Sequence, residues 1–316
     1  MSNCGASSES CCTSLEVPGG TYYRTYPDTS DEQTSEADPA SVSGFRMDKY
    51  LVTVGRFRQF VIAWSNGAGY LPAAGTGKHV HLNGGSGLVS AGAVAGGGVV
   101  YESGWDATDW NNTVDIDPVN GNLDCGAFWA WTGTAGNQET LPIDCVNWFE
   151  AYAFCIWDGG FLPSEAEWEF VAAGGSAQLA YPWGSTIPGG TGCPGASCCP
   201  GPGCQLAIYD CFFPSGTSSS CTGVTNIAPV GTATMGAGRW GQLDMAGEMS
   251  EWNLDWYAAS YVDPCTDCAY LTTASYREFR GGSFYDGEEF LEPPTRDDNG
   301  PGLRDNGVGF RCARTP

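Results

Sequence analysis

The side chains able to do chemistry are few in kind and unevenly placed: 15 cysteines but only two histidines among 316 residues. The histidines, His79 and His81, stand one residue apart. On a strand that spacing puts both imidazoles on one side, which suits a metal. Zinc takes three or four protein ligands, however, and no third stands nearby in sequence, so an exposed polar strand face is the simpler reading. A Ser/His/Asp triad through either histidine lacks a serine paired with it. Cys265-Thr266-Asp267-Cys268 has the CxxC form of a thiol oxidoreductase. Such a motif should open a helix in a βαβ unit. Here it follows Tyr261-Val262-Asp263-Pro264 in a loop, so a structural bridge is expected. Glu288, Glu289, Glu292, Asp297 and Asp298 crowd one segment. Glycoside hydrolysis needs two carboxyls facing across a cleft, whereas a run of acids is usually a solvated face.

The thiols also speak to compartment. They act as staples in an oxidising space and are a liability in a reducing one, so an extracellular, periplasmic or cell-surface location is expected. No basic and apolar leader opens the chain, and any membrane attachment would run through a lipid anchor outside this sequence. An odd count leaves at least one cysteine unpaired, with Cys4 near the start as the candidate. Cys193, Cys198, Cys199, Cys204, Cys211 and Cys221 lie among Gly, Pro and Ser without paired CxxC units, and read as a disulfide-stapled loop rather than a zinc cluster. The formal charge is −23, from 36 acids against 13 Lys and Arg. That balance repels phosphate and argues against nucleic acid or anionic membrane as partners. Aromatics at 13% and apolar residues at 42% exclude a disordered chain.

The elements that would position these groups are legible in part. Residues 1–14 read as an irregular, Cys-bearing lead-in, and residues 15–316 as a single domain. VPGGTYYRTY alternates about a Gly-Gly turn like a strand and hairpin. Phe57, Phe60, Val61 and Trp64 share helical spacing, which predicts a helix over 54–64 with Thr53 as N-cap. Residues 65–104 turn to Gly, Ala, Ser and Val and read as a long insert with short strands. A second, Cys-rich insert spans 184–225. Asn147 with Glu150, and Ser164 with Glu167, have capping-box spacing, and Gly159-Gly160 should stop the first of these helices. Trp148, Tyr152, Cys155 and Ile156 would form its buried stripe.

Segments along the chain carry a resemblance: FRMDKYLVTVGRFRQFV, LPIDCVNWFEAYAFCIWDGGFLPSEAEWEF, YPWG, NIAPVG, WGQLDMAGEMSEWNLDWY, REFRGGSF and VGFRCAR. In this order they resemble the formylglycine-generating enzyme family, or sulfatase-modifying factor domains, over roughly Val17 to Arg314. Within it they are similar to secreted, myxobacterial-type members that lack the catalytic cysteine pair. The resemblance implies an α+β, C-type-lectin-like fold with little regular secondary structure and long disulfide-stapled loops. It implies a bridge between Cys155 and Cys312. It also implies a calcium ion held by the side chains of Asp244 and Glu251 and the carbonyls of Gly247 and Met249, oxygen ligands suited to calcium. A second family calcium site has no carboxylates at the matching positions near Ala207 and Thr222.

The family's oxidases use two cysteines, three and eight residues beyond the Ser of RGGS, to bind copper(I) and oxidise a substrate cysteine. The matching residues here are Asp286 and Leu291, so a thiolate copper site is not expected. The resemblance therefore implies a calcium-stabilised, catalytically silent domain that binds a protein or glycan ligand or associates with itself. Phe284 to Asn306 fills the place of the family's substrate groove. Its candidate contacts are Arg280, Ser283, Tyr285, Asp286, Glu288, Glu289 and Arg296. Two alternatives stay open: a divergent oxidase using other ligands, and a structural coat or filament subunit.

Overall fold

A computed structural model describes residues 2–5, 7–27, 35–92, 98–117, 121–188, 206–214 and 220–316. Within them, helices begin where a side chain can satisfy the free amides of a first turn. Helix α1, Val54–Trp64, is capped by Thr53, whose hydroxyl accepts the Arg56 N–H at 3.2 Å. Helix α2, Trp148–Trp157, and helix α3, Glu165–Ala172, each open with a reciprocal capping box. Glu150 N–H donates to the Asn147 side chain at 3.0 Å while the Glu150 carboxylate accepts Asn147 N–H at 3.1 Å. Ser164 and Glu167 repeat the exchange at 3.2 and 2.8 Å.

Short strands complete an α+β architecture. The largest sheet orders its strands Asp297–Asn299, Arg277–Arg280, Ser250–Trp256 and Val308–Gly309; the last pair is parallel and the others antiparallel. The chain's two ends share a sheet, because Ala313–Arg314 and Ser14–Val17 flank Phe45–Asp48. Helices α1 and α2 bury an aromatic core. Phe57 stacks on Phe154 with ring centroids 5.7 Å apart, and Phe154 meets Phe310 edge-on at 5.4 Å. A second core gathers Tyr22, Phe45, Phe161, Trp168 and Phe170 around α3. Among the described residues no helix is long and apolar enough to cross a membrane.

Several local expectations change. Ser14–Val17 and Gly20–Thr25 do not form a hairpin. The first pairs with Phe45–Asp48 and the second with Ala37–Val42. Gly19 sits at φ +75° where an added Cβ would lie 2.4 Å from Val42 O, so the Gly-Gly turn passes the chain from one sheet to another. The lead-in is a small ordered unit: Ser2–Cys4 pairs with Glu9–Ser10, and Cys4 bonds to Cys11. Cys4 is therefore paired, and the exposed Cys12 is the free thiol among the described cysteines. Cys265–Cys268 is a disulfide, as are Cys211–Cys221 and Cys125–Cys145. Cys193, Cys198, Cys199 and Cys204 lie outside the described residues. In the Gly-rich insert the described strand is Val89–Ser90, and His79 to His81 form a turn rather than a strand.

Candidate functional site

The segment after RGGS folds against its own scaffold. Asp286 accepts from both the N–H and the hydroxyl of Ser283, at 2.9 and 2.7 Å. Burial pushes the Asp286 carboxyl above its ordinary pKa, and those Ser283 bonds oppose the shift only in part. Leu291, the other oxidase position, is buried with Tyr181, Ala207, Tyr209 and Ala246. Tyr285 is exposed and donates its hydroxyl to Asp305 at 2.7 Å. Glu288 and Glu289 lie exposed in a short 3₁₀ turn, Glu288–Phe290. So Ser283, Tyr285 and Asp286 stand together beside an acidic outer turn.

The two candidate cations belong elsewhere, which corrects their placement in the groove. Arg280 is buried and turned inward, and all its donors are taken. It bonds Glu278 at 2.7 Å, Pro293 O at 2.7 Å, the Tyr261 hydroxyl at 2.5 Å, and Glu165. Arg296 reaches Glu165 at 2.6 Å, Glu278 at 3.3 Å and Ala258 O at 2.7 Å. Both guanidiniums thus neutralise acids of α3 and of the Arg277–Arg280 strand. Burial disfavours charge on Glu165, but Arg296 and Arg280 outweigh it and hold its pKa down at about 2. Burial raises Glu169 to about 8 despite Arg280, with Glu165 adding to the rise. This network was not anticipated from sequence. Its trace is the run EAEWEF, in which acids alternate with residues of a helix that buries every face.

The 244–251 loop concentrates negative charge out of water. Glu251 faces Arg311 through both oxygens, each at 2.7 Å. Asp244 accepts Gly231 N–H at 2.6 Å, and Glu248 accepts Ala228 N–H at 2.8 Å. The second Glu248 oxygen is buried without a partner among the described residues. Of these three buried carboxylates, Glu251 alone is bonded to a guanidinium. Burial lifts Asp244 to about 6 and Glu248 well above its usual value, the latter helped by Asp244. Among the described residues, no three His, Cys, Asp or Glu converge in a metal-holding arrangement. The fit to a hard cation thus rests on Asp244, on carbonyls and on the unpartnered Glu248 oxygen, with Glu251 already engaged by Arg311. Nothing in the sequence shows which way Glu248 turns.

His79 is not on an exposed face. It is fully buried, with Nδ1 3.0 Å from Glu102 and Nε2 2.9 Å from Glu167. Burial opposes its charge, but Glu167 and Glu102 outweigh that and raise its pKa to about 10. Both ring nitrogens are spent on carboxylates, so the ring ties the Gly-rich insert to the start of α3. His81 lies 6.3 Å from it, and burial lowers its pKa. A raised folded pKa gives stability that is full below the unfolded value of about 6.5 and is lost as pH rises toward the folded one. His79→Gln is therefore expected to cost about 3 kcal/mol at pH 6, in line with breaking a buried ion pair. By pH 10 most of the gap to wild type should close. Urea melts at the two pH values measure this, and a gap independent of pH would exclude a charged imidazolium.

An α+β scaffold with an RGGS turn, a buried arginine–glutamate network beneath it and a capped helix pair defines a protein of the sulfatase-modifying factor type. The family model described as "Sulfatase-modifying factor enzyme 1-like domain" matches residues 3–316, and the chain belongs to that family. It is 28% identical to the formylglycine-generating enzyme of Thermomonospora curvata over 96% of this chain and 93% of that protein. It is 30% identical to the inactive C-alpha-formylglycine-generating enzyme 2 of Mus musculus over 59% of this chain and 54% of that protein. Among solved structures, PvdO from Pseudomonas aeruginosa aligns with TM-score 0.56 and 17% identity, covering 96% of this chain and 94% of that one. Treponema denticola variable protein 1 aligns with TM-score 0.51 and 18% identity, covering 96% and 95%. At these identities the structural likeness concerns the fold alone.

Proposed function

We propose that this chain is a calcium-stabilised binding domain of an oxidising, extracytoplasmic compartment that does not carry out the family's cysteine oxidation. The observation that carries this reading is the fate of the two oxidase positions. Asp286 is locked onto Ser283 and Leu291 is buried in an apolar cluster. Neither supplies the soft thiolate that copper(I) takes. Disulfides at Cys4–Cys11, Cys125–Cys145, Cys155–Cys312, Cys211–Cys221 and Cys265–Cys268 support the compartment. The exposed Tyr285 with Glu288 and Glu289 supports recognition of a protein or glycan, since loops held on a rigid scaffold are where contacts are made.

Incubation with copper(I), oxygen and a cysteine peptide should leave the peptide thiol unchanged by mass spectrometry. Turnover would instead establish a divergent oxidase. Screening on glycan and protein arrays should give ligands whose binding falls when Tyr285→Ala, Glu288→Gln and Glu289→Gln are combined. Large assemblies in sedimentation, without such binding, would favour a coat or filament subunit.

Calcium would sit at Asp244, the carbonyls of Gly247 and Met249 and the unpartnered Glu248 oxygen, while Glu251 stays paired with Arg311. It would supply positive charge to a loop with three buried carboxylates, of which only Glu251 is bonded to Arg311. Calcium at a hundredfold its dissociation constant should stabilise the fold by about 2.7 kcal/mol. EGTA should therefore lower the melting temperature of wild type and leave that of Asp244→Ala unmoved. An identical wild-type melt with and without EGTA would remove calcium from the reading.

A further inference from the structure

Arg277 is buried, yet among the described residues it joins no ion pair, although the chain carries 36 acids against 13 Lys and Arg. Its guanidinium is held between the rings of Trp148 and Trp256, with its central carbon 3.6 Å from each centroid. Nη1 donates to Leu254 O, and the buried Nε–H finds no acceptor among the described residues. Burial pushes its pKa well below the ordinary value, with Asp255 only partly offsetting this. A buried charge without a counter-ion is costly, and so is an unmade hydrogen bond. Here the structure leaves both at one side chain.

Arg277 also lines a cavity of about 470 Å³, within the size of small-molecule sites. Trp110, Trp148, Tyr152, Leu254, Trp256 and Leu271 give it an apolar, mostly aromatic wall. The acids of the lining are largely engaged already. Glu102 serves His79 and the Leu88 N–H. Asp106 accepts N–H groups of Thr108 and Asp109 at 2.9 and 3.2 Å. Asp109 is exposed to solvent.

We propose that this cavity is a receptor for a small organic carboxylate with an apolar body, its carboxylate taken by the guanidinium edge of Arg277 and its body by the tryptophan walls. Two features favour a carboxylate over an uncharged aromatic. The unmade donor is ionic, and a planar fork matches a carboxylate oxygen pair. The two indoles hold the guanidinium plane in place, so little freedom is lost when the ligand arrives. This site is separate from the calcium loop and from the Tyr285 face, and it stands or falls without them.

The test uses the intact chain and phenylacetate, with its neutral isostere phenylacetamide, followed by calorimetry and by tryptophan fluorescence. Phenylacetate should bind and perturb the fluorescence, and phenylacetamide should bind at least about tenfold more weakly, as loss of a charged hydrogen bond implies. Arg277→Gln should show a loss of similar size. Because that change could also disturb folding, Thr273→Trp provides a second variant: the residue is exposed on the rim, so the new indole should obstruct the mouth and weaken binding with the melting temperature unchanged. No binding of phenylacetate by wild type up to its solubility, equal binding of the amide, or undiminished binding by either variant would overturn the proposal and leave Arg277 a packing residue.

Discussion

Replacing Arg280 with methionine is expected to cost about 3–5 kcal/mol, the usual penalty for stripping one partner from a buried ionic network. The side chain sits among Glu165, Glu169 and Glu278, all buried, and bonds two backbone carbonyls of the loop that follows. Without it, Arg296 still reaches Glu165 and Glu278, but Glu169 keeps only the Tyr261 hydroxyl as a bonded partner among the described residues. The loss should also depend on pH in a stated direction. Burial already raises Glu169 to about 8 and lifts Glu278 well above its usual value. Those acids can take up protons in mild acid and so limit the damage. A raised folded pKa on an acid means stability that is lost as pH rises past the unfolded value. The deficit of Arg280→Met should therefore be larger at pH 8 than at pH 5, read from urea midpoints at both. A deficit larger at pH 5 would contradict the charge argument and point to packing.

Removal of the Cys155–Cys312 bridge, by changing both residues to alanine, should cost a comparable amount. The two cysteines are 157 residues apart in sequence and both are fully buried. In the chain-entropy model a closed loop of that length is worth about 5 kcal/mol, against about 2 kcal/mol for a loop as short as that of Cys265–Cys268. The bridge also fastens the end of α2 to the C-terminal strand, which pairs with Phe45–Asp48 near the start of the domain. Denaturant melts of the two double-alanine variants should separate by this difference. Equal losses would mean that native packing, not loop closure, sets the contribution of the bridge.

Much of the scaffold was legible in residue order because its signals are local. Thr53, Asn147 and Ser164 cap helices, as their spacing to the following amides and carboxylates requires. The Cys265–Cys268 link was legible from its loop context, and the family likeness from segments spread over the whole chain. The hairpin expectation failed because alternation says that a strand exists, not what it pairs with. Sequence alone makes His79 look exposed because Glu102 and Glu167 are 23 and 88 residues away. Arg280 and Arg296 look like groove residues in sequence because an arginine beside a recognition loop reads the same whether it faces solvent or core.

By itself, the amino-acid sequence determined the α+β class, the three helix starts, the family, and the loss of a thiol pair at Asp286 and Leu291. Each depends on residue identity or on spacing within a few positions. Only the tertiary structure decided where charge is buried: which acids surround Arg280, that Glu251 faces Arg311, that His79 lies between two glutamates, and that Arg277 joins no ion pair among the described residues. Burial and pairing are set by contacts between segments far apart in the chain, and those contacts decide whether a charged side chain is solvated, neutralised or left open for a ligand.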